Sequence, residues 1–346
     1  MPSQPTIEEL LTAGRVPGAV VAWARADEPA AVLPIGADAD GRPLAEDTLL
    51  PVASITKLAT ALAVLTLVEH GWLALDDPLG RHLPEAEAAS DGRVTIRRLL
   101  SHTSGLPLDV APELAPYRPG LDWPALAAAC KATALVREPG TYVQYSNTGY
   151  GLVAILVERV TGKPFAAALA ELVLGPLGVE AYLGAEPPRP PARLADVRGA
   201  NAGGELEPYN SAFWRSLAAP WGGLITNASG ALSLVRAFCT RPEAIDNQTD
   251  GLPGGMAHPL LWDRCPWALG PEIRGTKTPH WAPAGASPTS FGHAGASGAI
   301  AWCDPNADLA WVILGARTAD SGWLLRQGAA IGQVLLDAYA ARASGQ

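Results

Sequence analysis

The stretch 298–316 constrains the fold more than any other part of this chain. Gly298-Ala-Ile-Ala-Trp-Cys-Asp304 and Leu309-Ala-Trp-Val-Ile-Leu-Gly-Ala316 are two short apolar runs, and Asp304-Pro-Asn-Ala-Asp308 separates them. Runs of this length bounded by turn formers read as a β-hairpin. A second pair stands near the other end, Gly18–Arg25 and 30–36, around the turn former Asp27-Glu28-Pro29. Strands at both ends with helices between them imply one antiparallel sheet assembled from the two termini, flanked by helices, with a mostly helical region inserted: an α/β (α+β) fold. The expected division is a sheet domain of residues 1–75 plus 206–346 and a helical domain of residues 76–205.

Helices are expected at about 54–71 (stopped by Gly71), 93–100, 121–135 (Asp122 as N-cap, Pro124 in the first turn), 147–161 (stopped by Thr161-Gly162), 227–239 (capped by Asn227) and 322–342. Pro and Gly crowd residues 184–204, a candidate linker. Residues 241–290, rich in Pro, Gly and Trp, read as a long irregular excursion of the kind that forms lids or pocket walls.

Hydrophobic residues make up 48% of the 346 and charged residues 17%, enough for a substantial core. A net charge of -9 argues against a nucleic-acid partner, which needs a basic footprint. Four scattered cysteines (Cys130, Cys239, Cys265, Cys303), without Cys-x-x-Cys or nearby His, argue against zinc and redox motifs and read as buried free thiols, with one or two disulfides as the alternative. No cofactor or metal is expected. No run of 18 apolar residues occurs, so no membrane span is expected, and the first residues lack the basic and apolar regions of a signal peptide. The expectation is a cytoplasmic protein acting on a small molecule; its oligomeric state is not readable.

The chain lacks Gly-x-Ser-x-Gly, His-Glu-x-x-His and Gly-x-x-x-x-Gly-Lys. What remains is Ser54-Ile-Thr-Lys57 at the start of the long helix. Positions i and i+3 share a helix face, so the hydroxyl and the amine would meet. The first turn also offers free N–H groups to a developing oxyanion. Leu58, Ala59, Ala61 and Leu62 make an apolar setting, which lowers a lysine's pKa and suits it to act as a base. Only four of the 25 basic residues are lysines (Lys57, Lys131, Lys163, Lys277), and arginine cannot act as a base near neutral pH. Tyr145-Ser-Asn147 leads into a helix and offers a phenol and an amide. His293-Ala-Gly295 precedes the C-terminal hairpin, where glycine permits close approach of a substrate. Each element alone also fits a plain structural role: a chance Ser-x-x-Lys, a helix cap by Ser146 or Asn147, a strand-edge histidine.

Together, in order and spacing, the three resemble the Ser-x-x-Lys, Tyr-x-Asn and Lys/His-x-Gly motifs of the serine β-lactamase and penicillin-binding-protein superfamily. The resemblance continues through Ile96–Leu106, Asn147–Phe165, Leu174–Gly178, Trp221–Gly230 and Phe291–Leu314, and is to the branch with class C β-lactamases, DD-peptidases, D-aminopeptidases and family VIII carboxylesterases. It implies that Ser54 is the nucleophile and that Lys57 and Tyr145 form the proton-transfer network. It implies that Asn147 and His293 orient the substrate, that the N–H groups of Ser54 and Ala296, beside Gly295, hold the oxyanion, and that Trp221 lines the pocket unless it is a plain core residue. His102-Thr-Ser104, which could suggest a Ser–His pair, is structural in that family.

The chain departs from the family in two places. His293 replaces the lysine usual in class C enzymes, and Glu171-Leu-Val-Leu-Gly175 lacks the asparagine of the class A deacylation motif. A histidine of ordinary pKa is mostly neutral at pH 7 and pairs weakly with a β-lactam carboxylate. The expected activity is therefore hydrolysis of small acyl esters through an acyl-enzyme. The alternatives are a D-amino-acid peptidase or amidase, a β-lactamase, an acyltransferase or cyclase of the penicillin-binding-protein-type thioesterase kind, and a non-catalytic binding protein.

Overall fold

Alternation of side chains decides how the sheet is covered. A computed structural model of the protein describes residues 4–26, 28–184, 193–199 and 209–344. Its main sheet has six strands: β1 (Gly18–Ala24), β2 (Ala31–Gly36), β3 (Glu272–Ile273), β4 (Phe291–Gly295), β5 (Ala299–Asp304) and β6 (Leu309–Gly315). They run in the order β2-β1-β6-β5-β4-β3, each antiparallel to its neighbours. The expected hairpin is β5–β6, with Ala299 opposite Leu314 and Asp304 opposite Leu309. β1 pairs with β6 from Ala19–Gly315 to Ala24–Ala310, so the two ends of the chain meet at the centre of the sheet.

Ala19, Val21, Ile300, Trp302, Trp311 and Ile313 face one side, against Leu11 of the helix Ile7–Ala13 and Ile331 and Leu335 of the helix Ala329–Ser344. Val20, Ala22, Ala301, Cys303, Val312 and Leu314 face the other, against the helices Thr56–Glu69 and Ala228–Arg236. This period of two is what buries both faces. The core does not stop at that helical layer. Leu58 and Leu62 belong to the same apolar cluster as Leu99, Leu100, Leu152 and Leu156, on the helices Ile96–Leu100 and Asn147–Thr161. The lysine-bearing helix is thus packed between the sheet and the helical region.

Expected helix starts are set by side-chain caps. Asp122 accepts from the N–H of Ala125 at 2.9 Å, Ser146 from Gly149 at 2.9 Å and Asn227 from Gly230 at 2.8 Å. The helix Asn147–Thr161 ends at Gly162, whose φ of 67° is the left-handed conformation that glycine adopts without strain.

Three expectations are corrected. The helix read from residue 54 begins at Thr56, because Ala53–Ile55 form a tighter 3₁₀ turn. The segment of His293, read as lying before the C-terminal strands, is itself the strand β4, and Glu272–Ile273 of the irregular excursion joins its edge. Cys130, Cys265 and Cys303 are buried thiols, but Cys239 is exposed. The expected boundary at 205/206 and most of the linker at 184–204 lie outside the described residues. Among the described residues no helix is long and apolar enough to cross a membrane.

Candidate active site

Ser54 sits in the turn Ala53–Ile55, and the backbone there is held in an unfavourable conformation. Ala53 has φ 44°, in the left-handed region that a Cβ disfavours. Thr56 fixes the turn: its hydroxyl donates to Ala53 O (2.6 Å) and accepts from the N–H of Leu224 (3.0 Å). Strand β4 lies directly against the turn. A Cβ on Gly295 would come within 2.2 Å of Val52 O, so only glycine lets the strand pass this close.

Lys57 is one turn further along and fully buried. Its Nζ lies 2.7 Å from Asn147 Oδ1, 2.9 Å from Trp221 O and 3.3 Å from Ser54 Oγ. The first two atoms are carbonyl oxygens and can only accept. A neutral amine has two N–H groups and one lone pair. Donating to both carbonyls leaves the lone pair for the Ser54 hydroxyl. Burial pushes the Lys57 pKa well below its usual 10.5, and the charge of Asp109 opposes that only in part. Among the described residues no carboxylate contacts the amine directly.

Tyr145 packs its ring under Lys57, with Nζ 4.7 Å from the centroid. Burial holds its phenol well above the usual range, and the Ser54 hydroxyl opposes this by hydrogen bonding to the phenolate. Tyr145 Oη nevertheless makes no hydrogen bond of full geometry, so that contact is long or poorly aligned. Behind Tyr145 stands a ring stack: His102 at 4.5 Å, Trp267 at 5.8 Å and His293 at 5.8 Å between centroids. His102 Nδ1 accepts from the N–H of Ser146 at 3.0 Å, which ties down the turn before Asn147.

His293, expected at the substrate, is completely buried beside Tyr145 and is not among the described residues that line the cavity. Its Nδ1 donates to Ala294 O at 2.7 Å. Burial, helped by the charge of Lys57, lowers its pKa to about 4, so it is neutral at pH 7. Gly295 and Ala296 do reach the cavity.

The cavity in front of Ser54 holds ≈ 350 Å³. Ser54, Tyr145, Asn147, Trp221, Gly295 and Ala296 line it, so the structure brings these sequence candidates together. Its remaining walls are largely apolar and include Leu108, Trp214, Met256, Leu260, Trp281 and Leu324. Asp109 at the mouth escaped the sequence reading, because no motif marks it. Its Oδ1 accepts from Asn147 Nδ2 at 2.8 Å, which orients the Asn147 carbonyl toward Lys57. Met256, Leu260 and Trp281 come from the 241–290 excursion, which thus forms a pocket wall as its composition implies.

A family model described as Beta-lactamase matches residues 4–327. The chain is 40% identical over 166 residues to Esterase EstB of Burkholderia gladioli, a match covering 43% of this chain and 42% of that protein. It is 31% identical over 140 residues to the D-alanyl-D-alanine-carboxypeptidase/endopeptidase AmpH of Escherichia coli, covering 39% of this chain and 36% of that one. The chain thus spans less than half the length of these curated relatives. Among solved structures, a β-lactamase from Mycobacterium bovis is 28% identical with a TM-score of 0.67, covering 96% of this chain and 99% of that one. The D-amino acid amidase of Ochrobactrum anthropi SV3 reaches a TM-score of 0.75 at 22% identity, covering 97% and 98%, a likeness of fold alone. With the match running along nearly the whole chain, the protein belongs to the Beta-lactamase family of serine hydrolases.

Proposed function

We propose that the protein is an esterase that works through an acyl-enzyme on Ser54. The observation that carries this reading is the hydrogen bonding of Lys57. Two carbonyl acceptors take both N–H groups of a neutral amine and leave its lone pair for Ser54. Lys57 takes the serine proton, and Ser54 Oγ attacks the acyl carbonyl. The N–H groups of Ser54 and Ala296 hold the oxyanion. Tyr145, whose phenol stays protonated because it is buried, gives a proton to the departing alkoxide. A water that enters after the alcohol leaves is activated by the same network.

Ester rather than β-lactam chemistry is supported by the charge of the site. A β-lactam brings a carboxylate and keeps its fragment bound after acylation. Here His293 is neutral and buried, and no described lining residue carries a positive charge. Turnover of p-nitrophenyl butyrate and of nitrocefin at pH 7.5, on one preparation, tests this. The ester should be favoured in kcat/KM by at least about 10-fold, and mass spectrometry should find the acyl group on Ser54. Efficient nitrocefin turnover with negligible esterase activity would make the protein a β-lactamase instead.

A further inference from the structure

Asp109 carries the only formal charge among the described residues that line the cavity. Its Oδ1 is committed to Asn147, while Oδ2 takes no hydrogen bond among the described residues. The same cavity is lined by the aromatic residues Tyr209, Trp214, Trp221 and Trp281. A lone carboxylate within aromatic walls attracts an organic cation twice over, by Coulomb attraction and through the negative faces of the rings. The same arrangement repels a substrate carboxylate. We infer that this site selects esters that carry an ammonium group, with Asp109 as the residue that recognises it.

The inference rests on the esterase reading and names the substrate class for that same site. The ammonium could lie on the alcohol or on the acyl part, and two pairs of substrates separate these sources. Acetylcholine and 3,3-dimethylbutyl acetate share a shape and differ in charge on the alcohol side. Phenylalanine methyl ester and methyl 3-phenylpropanoate differ by the amine on the acyl side. The readout is the cation-to-neutral ratio of kcat/KM in the wild type, divided by the same ratio in Asp109→Asn. Taking this double ratio cancels the intrinsic reactivity of each ester. Loss of a partly exposed charge partner should lower the ratio at least about 3-fold in one pair, and that pair locates the ammonium. A smaller change in both pairs overturns the inference.

A measurement without turnover keeps the two readings apart. Phenyltrimethylammonium binding can be followed through the fluorescence of the cavity tryptophans. It should be at least about 3-fold tighter in the wild type than in Asp109→Asn, and should weaken in the wild type between low and high salt. Salt-independent binding, or equal affinity in the two proteins, overturns the role of Asp109. If ammonium binding follows the expectation but no ester turnover depends on Ser54, the esterase reading fails and the recognition stands.

A second inference rests on a different place. The thiols of Cys239 and Cys303 lie 3.2 Å apart, Cys239 exposed after the helix Ala228–Arg236 and Cys303 buried on β5. The geometry points to a pair that closes to a disulfide on oxidation. Both thiols lose a proton and an electron, the sulfurs bond, and hydrogen peroxide is reduced to two waters. Hydrogen bonding to Cys303, and then the positive charge of Arg236, favour the Cys239 thiolate, the species that reacts. Peroxide treatment should lower the intact mass by two hydrogens, remove two titratable thiols and link the peptides of Cys239 and Cys303, all reversed by reductant. Cys303→Ser should abolish the link. Peroxide that leaves the two peptides unlinked, or an adduct on Cys239 alone, overturns the assignment.

Discussion

Two lysines of this protein are equally hidden from water and do opposite things. Lys57 and Lys277 are both buried, and both lie over aromatic rings: Lys57 over Tyr145 at 4.7 Å, Lys277 over Trp262 and Trp267 at 5.0 Å each. Lys277 meets a carboxylate, Glu272 Oε1, at 2.7 Å, and also donates to Pro266 O at 2.9 Å. Burial alone would raise the Glu272 pKa, but the charges of Lys277 and His280 overcome it and keep the carboxylate ionised. Among the described residues Lys57 has only neutral acceptors in contact, and its pKa falls. Burial makes a lysine a base only where no buried anion holds its proton. The two clusters also touch. Trp281, a wall of the cavity, donates to Glu272 Oε2 at 2.9 Å, and Trp267 borders both Lys277 and Tyr145. The ion pair is thus a scaffold for a wall of the cavity.

The comparison is broken most directly by charge-conserving replacement. Lys57→Arg keeps a cation but removes the neutral form, and activity should fall by at least about 10³-fold, as when a general base is lost. Ser54→Ala should abolish acyl-enzyme formation, and both variants should keep a native circular dichroism spectrum. Near-wild-type turnover by Lys57→Arg would show that Lys57 is an electrostatic partner only. At the other lysine, stability should carry the effect. Glu272→Ala strands a buried ammonium and should cost about 3 to 5 kcal/mol in urea unfolding, whereas Glu272→Leu with Lys277→Met should recover much of that. A mild effect of Glu272→Ala on unfolding would mean that the buried ion pair adds little to stability.

The sequence made one lysine legible and hid the other. Ser54 and Lys57 are three residues apart, so one helical turn is enough to bring them together, and the motif can be read locally. Tyr145 and His293 are distant in the chain, but each belongs to a short recognisable pattern. Lys277 and Glu272 lie in a segment without periodicity, and their pairing depends on how the excursion folds back on β4. Asp109 is tied to the site only through Asn147, 38 residues away, and nothing local marks it. The hairpin at 299–315 and the join of β1 to β6 were readable because their apolar runs are long. The two-residue strand β3 was not, because period-two alternation has no meaning over Glu272–Ile273.

The pH dependence sharpens the comparison, because the two clusters respond at different ends. Lys57 must be deprotonated to act, so kcat/KM should rise with pH through a Lys57 pKa well below 10.5 and then level off. Glu272 has a lowered folded pKa, so its stabilising contribution is complete above the unfolded value near 4.5 and is lost as pH falls below that. His293 also has a lowered folded pKa, and for a histidine this means that the folded state resists protonation. Stability should fall as pH drops from 6.5 toward about 4, by on the order of 3 kcal/mol from this group. Unfolding free energy measured across this range should flatten between pH 6.5 and 4 in His293→Gln, and below 4.5 in Glu272→Gln. An unchanged profile in His293→Gln would mean that this histidine is already free to ionise in the folded protein.

The smallest effect belongs to a third lysine. Lys163 forms an ion pair with Glu171, but the two side chains remain 47% and 63% exposed. In that setting water screens the attraction, and ordering two long side chains costs entropy that offsets the rest. Lys163→Ala should therefore change the unfolding free energy by less than about 1 kcal/mol, an effect that shrinks further in high salt, and should leave kcat/KM within error. The experiment bears on the whole ranking. Lys163 has a carboxylate partner, as Lys277 does, and differs from it only in exposure; Lys57 shares burial with Lys277 and differs only in its partner. If Lys163→Ala costs as much as Glu272→Ala, exposure is not what separates the surface pair from the buried one. The contrast between Lys57 and Lys277 would then need a cause other than desolvation acting with or against a neighbouring charge.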